Sequence, residues 1–140
     1  MSQLKAIIIN PDSTWQVNLI ESGLNSLQTL VGGYIEAVST DDGTTIFINE
    51  EGKLDGLADN PLATALWWTL APHMTGMDYL VGTAVVLGPV DDEGDETGVT
   101  SDTIKAFADV AIGEVGMRLA QESLKAAEKY LTTNTTGANQ

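Results

Sequence analysis

The segment Tyr79-Leu80-Val81-Gly82-Thr83-Ala84-Val85-Val86-Leu87 is almost continuously apolar, and it constrains the fold more than any other feature of the chain. A strand of this composition must be shielded from water on both of its faces, so it belongs in the middle of a sheet that other elements cover on either side. It is the expected central strand. Leu4-Lys5-Ala6-Ile7-Ile8-Ile9 is a second β-branched run, ended by the turn formers Asn10-Pro11-Asp12-Ser13. Trp15, Val17 and Leu19 then alternate with Gln16 and Asn18, the period of a half-buried strand, so the two runs predict an opening hairpin. Tyr34–Val38 and Thr45–Ile48 flank Asp41-Asp42-Gly43 and predict a second hairpin, because Asp-Gly suits a tight turn.

Helical spacing occurs in three places. Leu24, Leu27, Leu30 and Val31 recur from a start near Ser22, and Gly32-Gly33 supplies a stop. Asn60-Pro61 is a helix start, with Asn60 as cap and Pro61 in the first position; Leu62, Ala65, Leu66 and Leu70 follow until Pro72. From Asp102 to about Leu131, after Thr100 or Ser101 as cap, Ile104, Phe107, Ala111, Ile112, Val115, Leu119, Leu124 and Ala127 trace a long amphipathic helix. At 1.5 Å per residue that helix measures roughly 45 Å, far more than the roughly 13 Å radius of gyration of a domain of about 100 residues, so it is expected to project beyond its own domain. The fold class expected is therefore α+β: a small mixed sheet of about five strands, two short helices and a long C-terminal amphipathic helix. The division follows as an acidic domain over 1–100, the helix over 101–131, packed on that domain or on a partner subunit, and a flexible tail over 132–140.

The charge is unevenly spread. From Asp12 to Asp102 sixteen acids face one base, Lys53, whereas from Lys105 onward four bases face four acids; the whole chain carries −14. Such a body argues against direct binding to nucleic acid or anionic lipid and favours basic or neutral partners. Its acidity could mimic nucleic acid, but acidity more often simply maintains solubility or reflects a salty host. The chain has no cysteine and a single histidine, His73, which excludes disulfides, thiolate chemistry and paired-histidine metal sites; no cofactor is expected. No stretch reaches the roughly 18 apolar residues of a membrane span, and the amino terminus lacks the pattern of a secretory signal, so a cytoplasmic protein is expected.

Few residues carry a chemical signal. His73 follows Pro72 without a nearby Asp-His-Ser pattern and reads as a surface or capping residue. The acidic loop Asp91–Gly98 offers oxygens at 91, 93 and 95, but Glu96 stands where a calcium loop needs glycine and Asp102 where it needs a closing glutamate, so no calcium site is assigned. Lys53, the solitary cation of the acidic body, could fix a phosphate or carboxylate, or simply be a solvated hairpin lysine. Trp67 and Trp68 are adjacent on the second helix and point about 100° apart, so at least one ring should reach the edge of the apolar face, where it either anchors a ligand or caps the core. Trp67, Trp68, Lys53 and Asn60 are thus the candidate binding residues. Ala106, Gly113, Gly116 and Ala120 form a stripe of small residues on the long helix, which reads either as the interface of a homo-oligomer or as room for a bulky side chain of the same domain.

Val31-Gly32-Gly33-Tyr34-Ile35-Glu36, Asn49-Glu50-Glu51-Gly52-Lys53-Leu54, Asn60 and Val81-Gly82-Thr83-Ala84-Val85-Val86-Leu87-Gly88 resemble, in order and spacing, the family catalogued as domain of unknown function 3846. The resemblance covers roughly residues 4 to 108 and implies an α+β domain encoded by bacteriophages or bacterial mobile DNA. It implies no chemistry, and it sets the Trp67-Trp68 helix and the long helix after Phe107 apart as departures from the family pattern. The expected function is a non-enzymatic accessory binding protein that counteracts host defence by sequestering a small molecule or masking a host protein. The alternatives are an acidic nucleic-acid mimic and a structural or assembly protein of the phage particle; an enzyme has no motif to support it.

Overall fold

The computed structural model describes residues 2–138, with side chains for all of these except 114–120 and 130–138. Two hairpins, β1 (Gln3–Ile9) with β2 (Trp15–Glu21) and β3 (Ile35–Ser39) with β4 (Thr45–Asn49), are joined through one short strand, β5 (Ala84–Leu87). The sheet order is β2-β1-β5-β4-β3. The apolar run is therefore central, as its composition demands, but it is a strand for only four residues. Gly82 takes a left-handed conformation (φ +73°), which turns the chain immediately before β5; a side chain there would also meet Leu57 at 2.8 Å. The sheet is antiparallel throughout rather than mixed, because β5 runs against both of its neighbours, β1 and β4.

The helices cover β5 from both sides. On one face Ile7, Ile9, Ile46, Ile48, Ala84 and Val86 pack against α2 (Pro61–Leu70) and the start of α3 (Ser101–Ala138). On the other, Ala6, Ile8, Phe47, Val85 and Leu87 pack against Leu27 and Val31 of α1 (Leu24–Val31). Each fully buried aliphatic side chain of this kind contributes about 1.5–3 kcal/mol relative to exposure. In β2 the burial runs opposite to the expected phase: Ile20 is buried, whereas Trp15, Val17 and Leu19 are exposed. They lie on the face shared by Ile7 and Ile9, where the Trp15 ring meets Phe107 of α3 edge-on at 5.2 Å.

Thr103, Phe107 and Ala111 are the buried side of α3, and Thr100 Oγ1 caps it by accepting the Thr103 amide. Ala111 is the last buried residue of the helix among the described residues; Ile112 is exposed, and so is every residue from 121 to 129. Leu124 and Ala127 therefore do not pack on the domain, while Val115 and Leu119 lie outside the described side chains. The helix runs to Ala138 rather than ending near Leu131. Among the described residues, no helix is long and apolar enough to cross a membrane.

Asn60 ties these layers together. It is fully buried, and its amide nitrogen donates to the carbonyls of Ile9 at 3.0 Å and Gly82 at 2.8 Å, while Oδ1 accepts the Ala63 amide at 3.1 Å. One side chain thus caps α2 and fastens it to β1 and to the segment leading into β5. Asn60→Ala loses the cap, about 1 kcal/mol, and orphans buried carbonyls at about 1–3 kcal/mol, so a loss of about 2–4 kcal/mol is expected in chemical denaturation. Asn60→Asp keeps the cap acceptor but sets a carboxylate against two carbonyls. Its carboxyl pKa is then raised in the folded state, so the variant is least impaired below about pH 4 and weakens as pH rises. Equal stability of wild type and Asn60→Asp at neutral pH would contradict this assignment.

Candidate functional site

Four hydrogen bonds hold the chain before β5 against α2 and the residues leading into it. The Asn60 amide donates to the Leu80 carbonyl and the Leu80 amide to Thr64 Oγ1, each at 2.9 Å; the Gly82 amide donates to the Ala58 carbonyl at 2.8 Å, and the Trp68 indole to the Asp78 carbonyl at 2.9 Å. Asp78 and Tyr79 are thereby presented beside the β3–β4 edge of the sheet. From the other side comes Lys53, held close to this segment because Gly52 sits directly against Val81, where a Cβ would approach Cγ2 to 2.8 Å.

Lys53, Asp78 and Tyr79 form one cluster. The Lys53 ammonium is bonded to Asp78 Oδ1 and lies 4.4 Å from the centre of the Tyr79 ring, a cation–π arrangement. The hydrogen bond from Lys53 holds the Asp78 carboxyl below the usual carboxylate range, helped by the Tyr79 amide, and the same bond raises Lys53. Both side chains are about half exposed, so the pair is worth little in stability. The cluster borders a concavity of about 260 Å³ whose walls include Glu36, Glu50, Trp67 and Met74. Tyr79 also borders a second one, of about 370 Å³, with Trp68, Ala65, Pro61 and Asp59. An exposed aromatic ring thus stands between two hollows with acidic side chains in both.

The four expected binding residues divide accordingly. Trp68 is half-buried and faces the second hollow, as one of the two rings had to. Trp67 is core: it is buried, and its indole donates to the Ser39 carbonyl at 3.3 Å. Asn60 is buried and serves the architecture, with both its amide nitrogen and its oxygen engaged. Lys53 is not a free cation for a phosphate, because Asp78 already neutralises it. On α3, Ala106 packs on the core of its own domain, whereas a Cβ added at Gly113 would meet nothing within 4 Å; Gly116 and Ala120 lie outside the described side chains. His73 is a surface residue whose Nδ1 lies 3.7 Å from Asp41. In the acidic loop, Asp91 Oδ1 accepts the amides of Glu93 and Asp95, each at 2.9 Å, and no group of three His, Cys, Asp or Glu side chains among the described residues is placed to hold a metal. Asp78 and Glu36 stood outside the candidate binding residues, being brought to Lys53 only by folding; the nearest hint was the aromatic residue opening the apolar run at Tyr79.

These features define an acidic α+β domain with an antiparallel sheet covered on both faces and an aromatic, charge-lined edge. The chain belongs to a family described as a domain of unknown function (DUF3846), whose model matches residues 4–111. The match ends at Ala111, the last buried residue of α3 among the described residues. No curated protein and no solved structure matches the chain.

The Lys53–Asp78 pair has a measurable signature. Because the Asp78 pKa is depressed, the pair is complete above the ordinary carboxylate range and is lost as pH falls through the lowered value. A carbon-detected NMR titration should find the Asp78 midpoint below 3.8, and Lys53→Met should move it upward. A midpoint indifferent to Lys53→Met would show that the pair does not persist in solution.

Proposed function

We propose that this protein is a non-enzymatic binding protein that captures a positively charged side chain of a partner protein at the Tyr79 cluster. The observation that carries the reading is the charge of the hollow beside the ring: Glu36, Glu50 and Asp78 outnumber Lys53. A site of that sign repels phosphates and carboxylates and favours an ammonium or guanidinium. Lys53 displays the mode of recognition, with its cation over the ring and hydrogen-bonded to the carboxylate; a lysine or arginine of the partner would exchange with it or extend the same pattern. The sixteen acids of the body would draw a basic partner toward the site before contact.

This reading refines the expectation of a phage accessory protein. In the mobile-element setting implied by the family resemblance, the partner is a basic host protein, and its masking counteracts a host defence. A nucleic-acid mimic is the special case in which the masked surface is one that binds DNA or RNA. The test uses an arginine-rich peptide and an acidic peptide of equal length, with binding followed at the tryptophan indole NMR signals. The basic peptide alone should bind, shifting the Trp68 indole more than that of Trp15, with affinity that falls as salt rises. Tyr79→Ala should weaken binding by about 5- to 30-fold, the range of a partly desolvated cation–π contact, while Tyr79→Phe retains most of it. Binding unaffected by Tyr79→Ala would reduce the effect to diffuse acidity and overturn the site.

A further inference from the structure

The opposite edge of the sheet offers a second surface. β2 pairs only with β1, and its outer side is open. The Asn10 amide donates to the Thr14 carbonyl and the Ser22 amide to the Ser2 carbonyl, so the even-numbered residues of this strand turn their backbone toward β1. Trp15, Val17 and Leu19, being odd-numbered, direct theirs outward. Edge strands are ordinarily blunted by lysine, proline or a bulge. Here the strand is regular over all seven residues, and from Trp15 to Ile20 it has no charge, proline or glycine. The only obstacle is Asn18, whose Oδ1 accepts the Leu19 amide at 2.9 Å and would have to turn away.

The side chains on this edge point the same way. Trp15 is 48% exposed, Val17 39% and Leu19 54%, in one row on the face that α3 flanks. Ala108, Ala111 and Ile112 of α3 continue that row as the wall of an apolar hollow of about 410 Å³ over Trp15, and Ile112 is itself 71% exposed. Charge decides which partner fits. Between Asp12 and Glu36 the only charged residue is Glu21, at the end of β2, so β2 and α1 together carry only −1 on a chain of net charge −14. A basic partner is drawn to the acids elsewhere, whereas two copies of this chain, whose acidic bodies repel, approach most readily on such a weakly charged segment.

We infer that β2 is a self-association edge, on which a second copy of this chain pairs antiparallel about a two-fold axis near Val17. In that register Val17 faces Val17 and Trp15 of each copy faces Leu19 of the other, on one side of the sheet, so the apolar row is complementary to itself. The outward amides and carbonyls of the odd residues become ladder bonds. Glu21 of each copy lies beyond the paired centre, four residues from the axis and away from its symmetry mate. The two sheets become one of ten strands, with a Tyr79 cluster at each far end.

The test is the mass of the full chain by light scattering across a dilution series, compared with Val17→Lys/Leu19→Lys. Both side chains are exposed in the single chain, so the variant should keep the wild-type circular dichroism and melting curve of the dissociated protein. The wild type should be a dimer that dissociates on dilution, and the variant's dissociation constant should be higher by more than about tenfold. Residue-specific amide exchange provides a second reading independent of any variant: the Val17 amide should exchange rapidly in the monomer and slowly in the dimer. A wild type that stays monomeric at the highest concentration, a dimer indifferent to the two lysines, or a Val17 amide equally exposed at all concentrations would each overturn the inference.

Discussion

A single buried amide holds three parts of this molecule in register. Asn60 closes the amino end of α2 through Oδ1 and bonds β1 and the approach to β5 through its nitrogen, with no exposed surface of its own. A buried amide is costly unless every polar atom is engaged, and satisfied it admits only one arrangement of its partners. The consequences extend outward. With α2 fixed to the segment ahead of β5, Thr64 can meet the Leu80 amide and Trp68 the Asp78 carbonyl, and Tyr79 is set at the rim of the sheet without belonging to a strand.

The layers then determine which surfaces remain available. α1 covers one face, and α2 with the first three turns of α3 covers most of the other, leaving the two sheet edges as the least protected regions. They differ in chemistry. The β3–β4 edge joins an aromatic ring to a net acidic hollow, whereas the β2 edge is neutral and apolar. One suits a cationic group, the other a like-charged copy of the same chain. Among the described side chains, none of α3 beyond Ile112 lines either surface.

Much of the architecture was legible in the sequence because it rests on local rules. Both hairpins followed from paired apolar or alternating runs flanking turn formers, α2 from Asn60-Pro61, and the central place of Val85 and Val86 from their apolar run. What escaped depends on neighbours distant in the chain. The row Trp15, Val17, Leu19 has the alternation of a half-buried strand, yet whether such a row is covered depends on how far α3 extends across the sheet. Asn60 was recognisable as a cap, but its two further bonds reach Ile9 and Gly82, which no local spacing reveals. Trp67 and Trp68 are equivalent candidates until the pitch of α2 buries one ring and leaves the other at the rim. Lys53 looks like a lone cation in the sequence because Asp78 lies 25 residues away.

The site assignment is most directly tested by hydrogen–deuterium exchange of the full chain with and without an arginine-rich peptide. Protection concentrated at residues 36–38, 48–53 and 74–81, the segments that line the Tyr79 hollow, is the expected result. Protection spread over the acidic loop at 91–98, or absent from the Tyr79 segments while the peptide is bound, would contradict it.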